Sequence, residues 1–367
     1  MNVSHAVSSC MVCLVLVATA VGDEAAAKKK MQTLDKNQNG TFEKEEGKRQ
    51  WNRLRNLDTN SDGVLTIEEL ALQKPRYLET SGKQEREIVY KQIGEQKLAL
   101  DLYYPTQNDS DRRPVIIYVH GGGWAAGSKH GAATASFAAS FKKLLDLGFC
   151  VASVDYRLYI KGGTVCMRDC VIDSKDAVRY LAKHSEELGL DSEKFYSFGD
   201  SAGGQLAQML RLSSPSSLSG DGALADQDYT MVAGVSWYGP CDFEDTQLFN
   251  HNDREDFRDR FGPRILPPTA QPEDKLALYR EMSPVNYLKA NSAPLLMIQG
   301  DKDTTIPVKH AYRMQKEAEA IGAPVEVLIV KNAGHNWRKV DADINPTRQQ
   351  IIDRTVAFFV KHAKPEM

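Results

Sequence analysis

Ser201 stands at the centre of Gly199-Asp200-Ser201-Ala202-Gly203, between an apolar run, FYSFGD, and a stretch of helical spacing, AGGQLAQMLRL. A serine hydroxyl attacks a carbonyl carbon only when a base takes its proton, and a neutral imidazole base needs a carboxylate to hold its tautomer. The chain offers both downstream: MIQGDKDTTIP carries Asp301 and Asp303, and VKNAGHNW carries His335. Serine, acid, histidine is the order in which an elbow serine recruits its partners on a sheet of parallel strands. Upstream, YVHGGGW places Gly122 and Gly123 where consecutive main-chain amides can join that of Ala202 in binding an oxyanion. His120 in the same stretch reads as an anchor for the loop. Such a set performs acyl transfer on esters or on amides, and the triad alone does not separate the two.

The elements that must hold these residues are legible as alternation. KLALDLYYP, PVIIYVH, FCVASVDY, FYSFGD, AGVSWYG, PLLMIQGD and VEVLIVKNA are short apolar runs, several nearly continuous, as strands buried on both faces require. VIDSKDAVRYLAKHSEEL and VKHAYRMQKEAEAIG carry helical spacing between them. The fold class is therefore α/β, a mostly parallel twisted sheet flanked by helices, with ligands at the carboxyl ends of the strands. Gly199 to Gly203 is then the strand-to-helix turn that lifts the Ser201 hydroxyl over the sheet, with a helix N-terminus behind it. His335 is the histidine that follows the last strand. His310 falls on a helical pattern and reads as a solvated surface residue, and His130, like it, does not follow the last strand.

HGGGW, GDSAGG, GDKDTTIP and AGH, together with VDYRL and WYGPCDF, resemble the α/β-hydrolase fold in its hormone-sensitive-lipase-like branch, above all bacterial feruloyl or acetyl esterase-like members. The likeness spans roughly residues 84–363. It implies Ser201 as nucleophile, His335 as general base and then acid, and Gly122, Gly123 and Ala202 as the oxyanion hole. It also implies Asp303, ahead of Ile306-Pro307, as the carboxylate, leaving Asp301 as a turn residue. The implied activity is hydrolysis of short-chain acyl, acetyl or feruloyl esters, with polysaccharide esters among the substrates. An exopeptidase or amidase of the same fold is the alternative, and a calcium-dependent binding module without catalysis is a third. Residues 242–288, charged and broken by prolines, read as an insertion over the pocket, and they contain no long apolar lid for fatty chains. Trp124, Trp237 and Tyr238 are candidates for the pocket wall or for the core.

Nearer the N-terminus, LDKNQNGTFEKEE and LDTNSDGVLTIEE repeat one pattern. Each places side-chain oxygens at loop positions 1, 3 and 5, glycine at 6, an apolar residue at 8 and glutamate at 12, the pattern a hard cation with six to eight oxygen ligands imposes. The candidate ligands are Asp35, Asn37, Asn39, Thr41 and Glu46 in the first loop, and Asp58, Asn60, Asp62, Val64 and Glu69 in the second. The segment 27–75 resembles an EF-hand pair, which implies bound Ca2+ in a structural role. Only GKRQWNRLRNL separates the loops, so one short helix serves both. A dockerin-like module is similarly compact, but glutamate closes both loops here, which favours the EF-hand likeness. Two asparagines make the first loop the weaker site.

Lys and Arg number 46 against 49 Asp and Glu, a net charge of −3 without long like-charge blocks, which argues against nucleic acid and anionic membranes as partners. Residues 6–21 carry no charge and surround MVCLVLVATA, followed by small residues suited to cleavage, so 1–22 reads as a signal peptide and the protein as secreted or periplasmic. The stretch before it has His5 but no Lys or Arg. Cys10 and Cys13 leave with that segment. Cys166 and Cys170 are close enough in sequence to pair, whereas Cys150 in GFCVASVDY reads as a buried strand residue.

Overall fold

The computed structural model describes residues 24–107, 110 and 112–363, so the signal segment with Cys10 and Cys13 lies outside the described residues. The chain falls into two compact units, divided between Arg76 and Tyr77. Among the described residues no helix is long and apolar enough to cross a membrane.

The second unit is built on eight strands: β1 (Gln84–Ile93), β2 (Gln96–Tyr103), β3 (Arg113–Val119), β4 (Cys150–Val154), β5 (Leu190–Asp200), β6 (Met231–Trp237), β7 (Leu295–Gly300) and β8 (Val325–Val330). Their order across the sheet is β8-β7-β6-β5-β3-β4-β2-β1. From β3 to β8 all neighbours run parallel, and β2 and β1 close one edge antiparallel. The period-two direction of strand side chains splits the core into two layers. Val115, Ile117 and Val119 share a cluster with α2 (Met167–Lys183) and α3 (Ala202–Leu212). Ile116 and Tyr118 share another with α1 (Ala135–Asp146) and the C-terminal helix. Between β6 and β7 lies α4 (Lys275–Met282); α5 (Lys309–Ile321) joins β7 to β8, and α6 (Arg348–Ala363) ends the fold.

Three readings change. KLALDLYYP alternates on paper, yet β2 is buried continuously from Leu98 to Tyr103. Its polar member Asp101 is sealed in by accepting the Glu87 amide at 2.9 Å. Residues 242–288 are charged outside but send Phe243, Phe249, Phe261, Ile265, Tyr279 and Met282 into the main core cluster, because long aromatic side chains anchor an otherwise polar segment. Cys150, Cys166, Cys170 and Cys241 are all free and buried. Cys166 caps α2 with its sulfur toward Asp169, and Cys170 directs its thiol to the Arg157 and Cys166 carbonyls at 3.2 and 3.4 Å, so the two are not bonded to one another.

The first unit packs the helix Glu24–Leu34 and the helix Ile67–Ala71 around Phe42, Trp51, Leu54, Leu65 and Leu70. The helix Lys48–Leu54, with a turn of 3-10 helix at Arg55–Leu57, is the single short connector between the loops. The loops pair through a two-residue antiparallel ladder, Phe42 with Leu65 and Glu43 with Val64, which joins their equivalent apolar positions.

Candidate active site

The carboxyl ends of β3, β5, β7 and β8 each deliver one part of the site. At the end of β5 the chain must reverse into α3 within one residue, and Ser201 takes φ 51°, ψ −117° to do so. Glycines permit the turn: a Cβ on Gly199 would lie 2.1 Å from the Gly203 carbonyl oxygen, and one on Gly203 would lie 2.0 Å from that of Val119. Ser201 is the N-cap of α3, yet its side chain caps nothing. Its hydroxyl lies instead 3.0 Å from His335 Nε2.

His335 Nδ1 is 2.7 Å from Asp303 Oδ2. Oδ1 of Asp303 accepts the amides of Thr305 and Ile306 at 2.7 and 3.0 Å, and Gln299 Nε2 donates to Oδ2 at 3.2 Å, so the loop itself fixes this carboxylate. Asp303 is buried. The ring of Tyr238 meets the imidazole edge-on, with centroids 4.8 Å apart. Asp301 is directed elsewhere: its Oδ2 is 3.8 Å from Lys331 Nζ.

Gly122 and Gly123 follow β3 with φ of 122° and 62°. A Cβ on Gly122 would meet the Ala126 carbonyl oxygen at 2.0 Å. The loop they form is tied down from three sides that the sequence did not advertise. Asp200 Oδ1 accepts the Gly121 amide at 2.9 Å and the Tyr118 hydroxyl at 3.2 Å. Tyr156 stacks on His120 and donates its hydroxyl to the His120 carbonyl at 2.7 Å. Trp124 Nε1 donates to Gln205 Oε1 at 3.1 Å. Burial pushes the Asp200 carboxyl up to about 6 against the pull of those donors and of nearby His335. Asp200 sits inside the serine motif and Tyr156 inside VDYRL, so their positions were visible while their partners, distant in sequence, were not.

The remaining candidates resolve by burial. Trp124, Trp237 and Tyr238 are all buried. His310 is not solvated as its helical position suggested. It is wholly buried at the start of α5, accepts the Cys241 amide at 3.3 Å, and is held neutral by burial that pushes it down to about 3. The first turn of α5 faces Phe249, which closes over the imidazole at 4.3 Å.

Residues 100–317 match the family model BD-FAE. The chain belongs to that family. Relatives include the probable carboxylic ester hydrolase LipM of Mycobacterium tuberculosis, 28% identical over 204 residues, which cover 54% of this chain and 43% of that protein. Esterase LipC of the same organism is 26% identical over 270 residues, covering 71% and 64%. The chain thus spans less than two thirds of the length of these relatives. The apo form of Thermogutta terrifontis esterase 2 is a structural neighbour of this BD-FAE chain, with TM-score 0.60 at 22% identity over 80% of this chain and 100% of that one. Its sarin-phosphonylated form gives TM-score 0.62 at 24% identity over the same shares. These neighbours share the fold.

The acidic loops of the first unit are near copies. In one, Asp35 Oδ2 accepts the Gly40 amide at 2.8 Å and Asn39 Oδ1 accepts that of Thr41 at 2.9 Å. In the other, Asp58 Oδ2 accepts the Gly63 amide at 3.1 Å and Asp62 Oδ1 accepts that of Val64 at 3.0 Å. Asn37 and Asn60 each accept the amide two residues on. Gly40 and Gly63 have φ of 89° and 85°, which explains glycine at the same turn position of both loops. Glu46 and Glu69 reach back to loop amides, Glu46 to Asn37 and Glu43, Glu69 to Thr59 and Thr66. The Glu43 amide, first among the loop donors, holds the Glu46 carboxyl down to about 2. Among the described residues no group of three or more His, Cys, Asp or Glu is gathered as a metal centre. The donor set is all oxygen, drawn from carboxylates, asparagine amides and main-chain carbonyls, which fits calcium in kind.

Proposed function

We propose that this protein hydrolyses carboxylic esters through an acyl-enzyme on Ser201. The observation that carries the reading is the hydrogen-bonded chain from Ser201 Oγ through His335 to Asp303, at 3.0 and 2.7 Å, in a family whose relatives include ester hydrolases. His335 Nε2 takes the Ser201 proton as Oγ bonds to the carbonyl carbon, and Asp303 steadies the imidazolium. The carbonyl oxygen gains negative charge, which the amides of Gly122, Gly123 and Ala202 receive. His335 then protonates the departing alcohol, and a water molecule, deprotonated in turn by His335, frees the acid and restores the serine.

The polar exterior of residues 242–288 favours short-chain acyl, acetyl or feruloyl esters, polysaccharide esters included. The first unit is a calcium module on this reading: Asp35, Asn37, Asn39, Thr41 and Glu46, and Asp58, Asn60, Asp62, Val64 and Glu69, would hold one ion each, and calcium supplies rigidity there and no catalytic step. The uncharged run at residues 6–21 supports export. The test of the chemistry is turnover of 4-nitrophenyl acetate against an aminoacyl 4-nitroanilide. The proposal expects the ester to be the far better substrate, and an anilide cleaved as fast or faster would make the protein an amidase.

A further inference from the structure

Phe261 packs edge-on against Trp124, the residue after the Gly122-Gly123 pair, with centroids 5.5 Å apart. That contact brings the one-turn helix Gly262–Ile265 over the oxyanion loop. The nearest group to a Cβ built on Gly123 is the Arg264 guanidinium, with Nη2 at 3.8 Å and Cζ at 3.9 Å. Arg264 is half-buried, and its Nε is buried without a hydrogen-bond partner. Arg260 lies on the same Phe261 ring and donates to the Thr305 carbonyl, two residues from Asp303. Beside them is a cavity of about 340 Å³ whose lining includes His251, Arg254, Asp256, Arg258, Arg260 and Thr304.

Several carboxylates of this segment are already engaged, although Glu255 and Asp256, the latter on the cavity wall, form no ion pair among the described residues. Asp242 is paired with Arg313, Glu244 with Arg280 and Asp253 with Lys309, all arriving from other elements. Asp259 is occupied by the Phe261 and Gly262 amides and the Tyr279 hydroxyl. Among the described residues, Arg254, Arg258, Arg260 and Arg264 form no ion pair. The guanidinium fork is built for bidentate recognition of a carboxylate, and one partly removed from water without a counter-charge is held at a cost that an anionic ligand offsets.

We propose that the ester accepted at this site carries a carboxylate, gripped by Arg264 beside the oxyanion loop, with the arginine-lined cavity taking the remainder of the anionic substrate. This rests on the ester-hydrolase reading and narrows its substrate class. It places substrate specificity in the segment between β6 and β7.

Two pairs of esters test it, each an anion and a neutral analogue of similar size. 4-Acetoxybenzoate against 4-acetoxybenzamide puts the charge in the alcohol half, and 4-nitrophenyl hemiadipate against 4-nitrophenyl hexanoate puts it in the acyl half. The readout is the anionic-to-neutral ratio of kcat/KM for the full chain and for Arg264→Gln and Arg264→Lys. Both esters of a pair are read on one preparation, so any loss of folded enzyme cancels in the ratio. The expected result is that Arg264→Gln lowers the ratio by about tenfold or more in one pair, through KM, with Arg264→Lys retaining part of it. A change below about threefold in both pairs overturns the proposal. Absence of turnover on all four esters is a separate result: it removes the ester-hydrolase reading, and this proposal with it, whereas turnover of the anionic esters alone supports both.

Discussion

Asp303 and His335, which follow adjacent strands β7 and β8, meet at 2.7 Å, while Asp301, in the same loop as Asp303, faces Lys331. The loop decides the matter, since the amides of Thr305 and Ile306 and the side chain of Gln299 all converge on Asp303. Asp303→Asn should therefore lower kcat on an aryl acetate by about 10⁴, because the amide stabilises the wrong imidazole tautomer. Asp301→Asn should stay within a few fold. Steady-state kinetics on the two variants check the ranking.

Gly122 and Gly123, the glycines proposed for the oxyanion hole, should respond unequally to an added methyl group. Gly122→Ala drives its Cβ toward the Ala126 carbonyl oxygen, 2.0 Å away, so the loop must move. Loss of a well-placed donor costs about 10² to 10³ in kcat. Gly123→Ala meets nothing closer than Arg264 at 3.8 Å and bears mainly the strain of its left-handed backbone, about 1–2 kcal/mol. Its effect on kcat should be clearly smaller.

Asp200 predicts a pH signature in stability. Its carboxyl is raised to about 6 in the folded protein, so between the unfolded value near 4 and 6 the native state binds the extra proton. Stability from this group is thus present at low pH and is lost as pH rises through that window. Asp200→Asn keeps an acceptor for Gly121 and Tyr118 and removes the buried charge. The difference in Tm between variant and wild type should be smallest near pH 4, shift in favour of the variant up to about pH 6, and then level off. His310, pushed the opposite way, contributes equally to both proteins and cancels in the difference.

Calcium binding should be visible by titration calorimetry of the full chain stripped with chelator. Two events are expected, the tighter at the loop of Asp58 and Asp62, since Asn37 and Asn39 lower the charge of the other. Glu69→Gln should remove the tighter event and Glu46→Gln the weaker. Heat-silent titration with no rise in Tm on adding calcium would contradict the assignment.

Much of this architecture is written locally, and that part was legible. The G-x-S-x-G corner, the glycine run after β3 and the apolar runs of the parallel strands are each a short contiguous signal tied to a backbone need. What was not legible depends on contacts between distant segments. His310 looks exposed by helical spacing because the spacing does not reveal that Phe249 and Cys241 cover it. The charged segment 242–288 looks like a pure surface insertion until its phenylalanines are seen against Trp124. Asp200, Tyr118 and Tyr156 steady the glycine loop after β3 through partners that only the fold brings near.

The central claim is that Ser201 is the acylated nucleophile, and covalent labelling with a fluorophosphonate measures it most directly. Intact mass of the full chain should show one adduct, peptide mapping should place it on Ser201, and Ser201→Ala should take up no label while retaining the wild-type circular dichroism. Turnover of aryl acetate by that variant should fall by about 10⁴ to 10⁶. An unlabelled wild type, or a label that persists in Ser201→Ala at the wild-type level, would contradict the account.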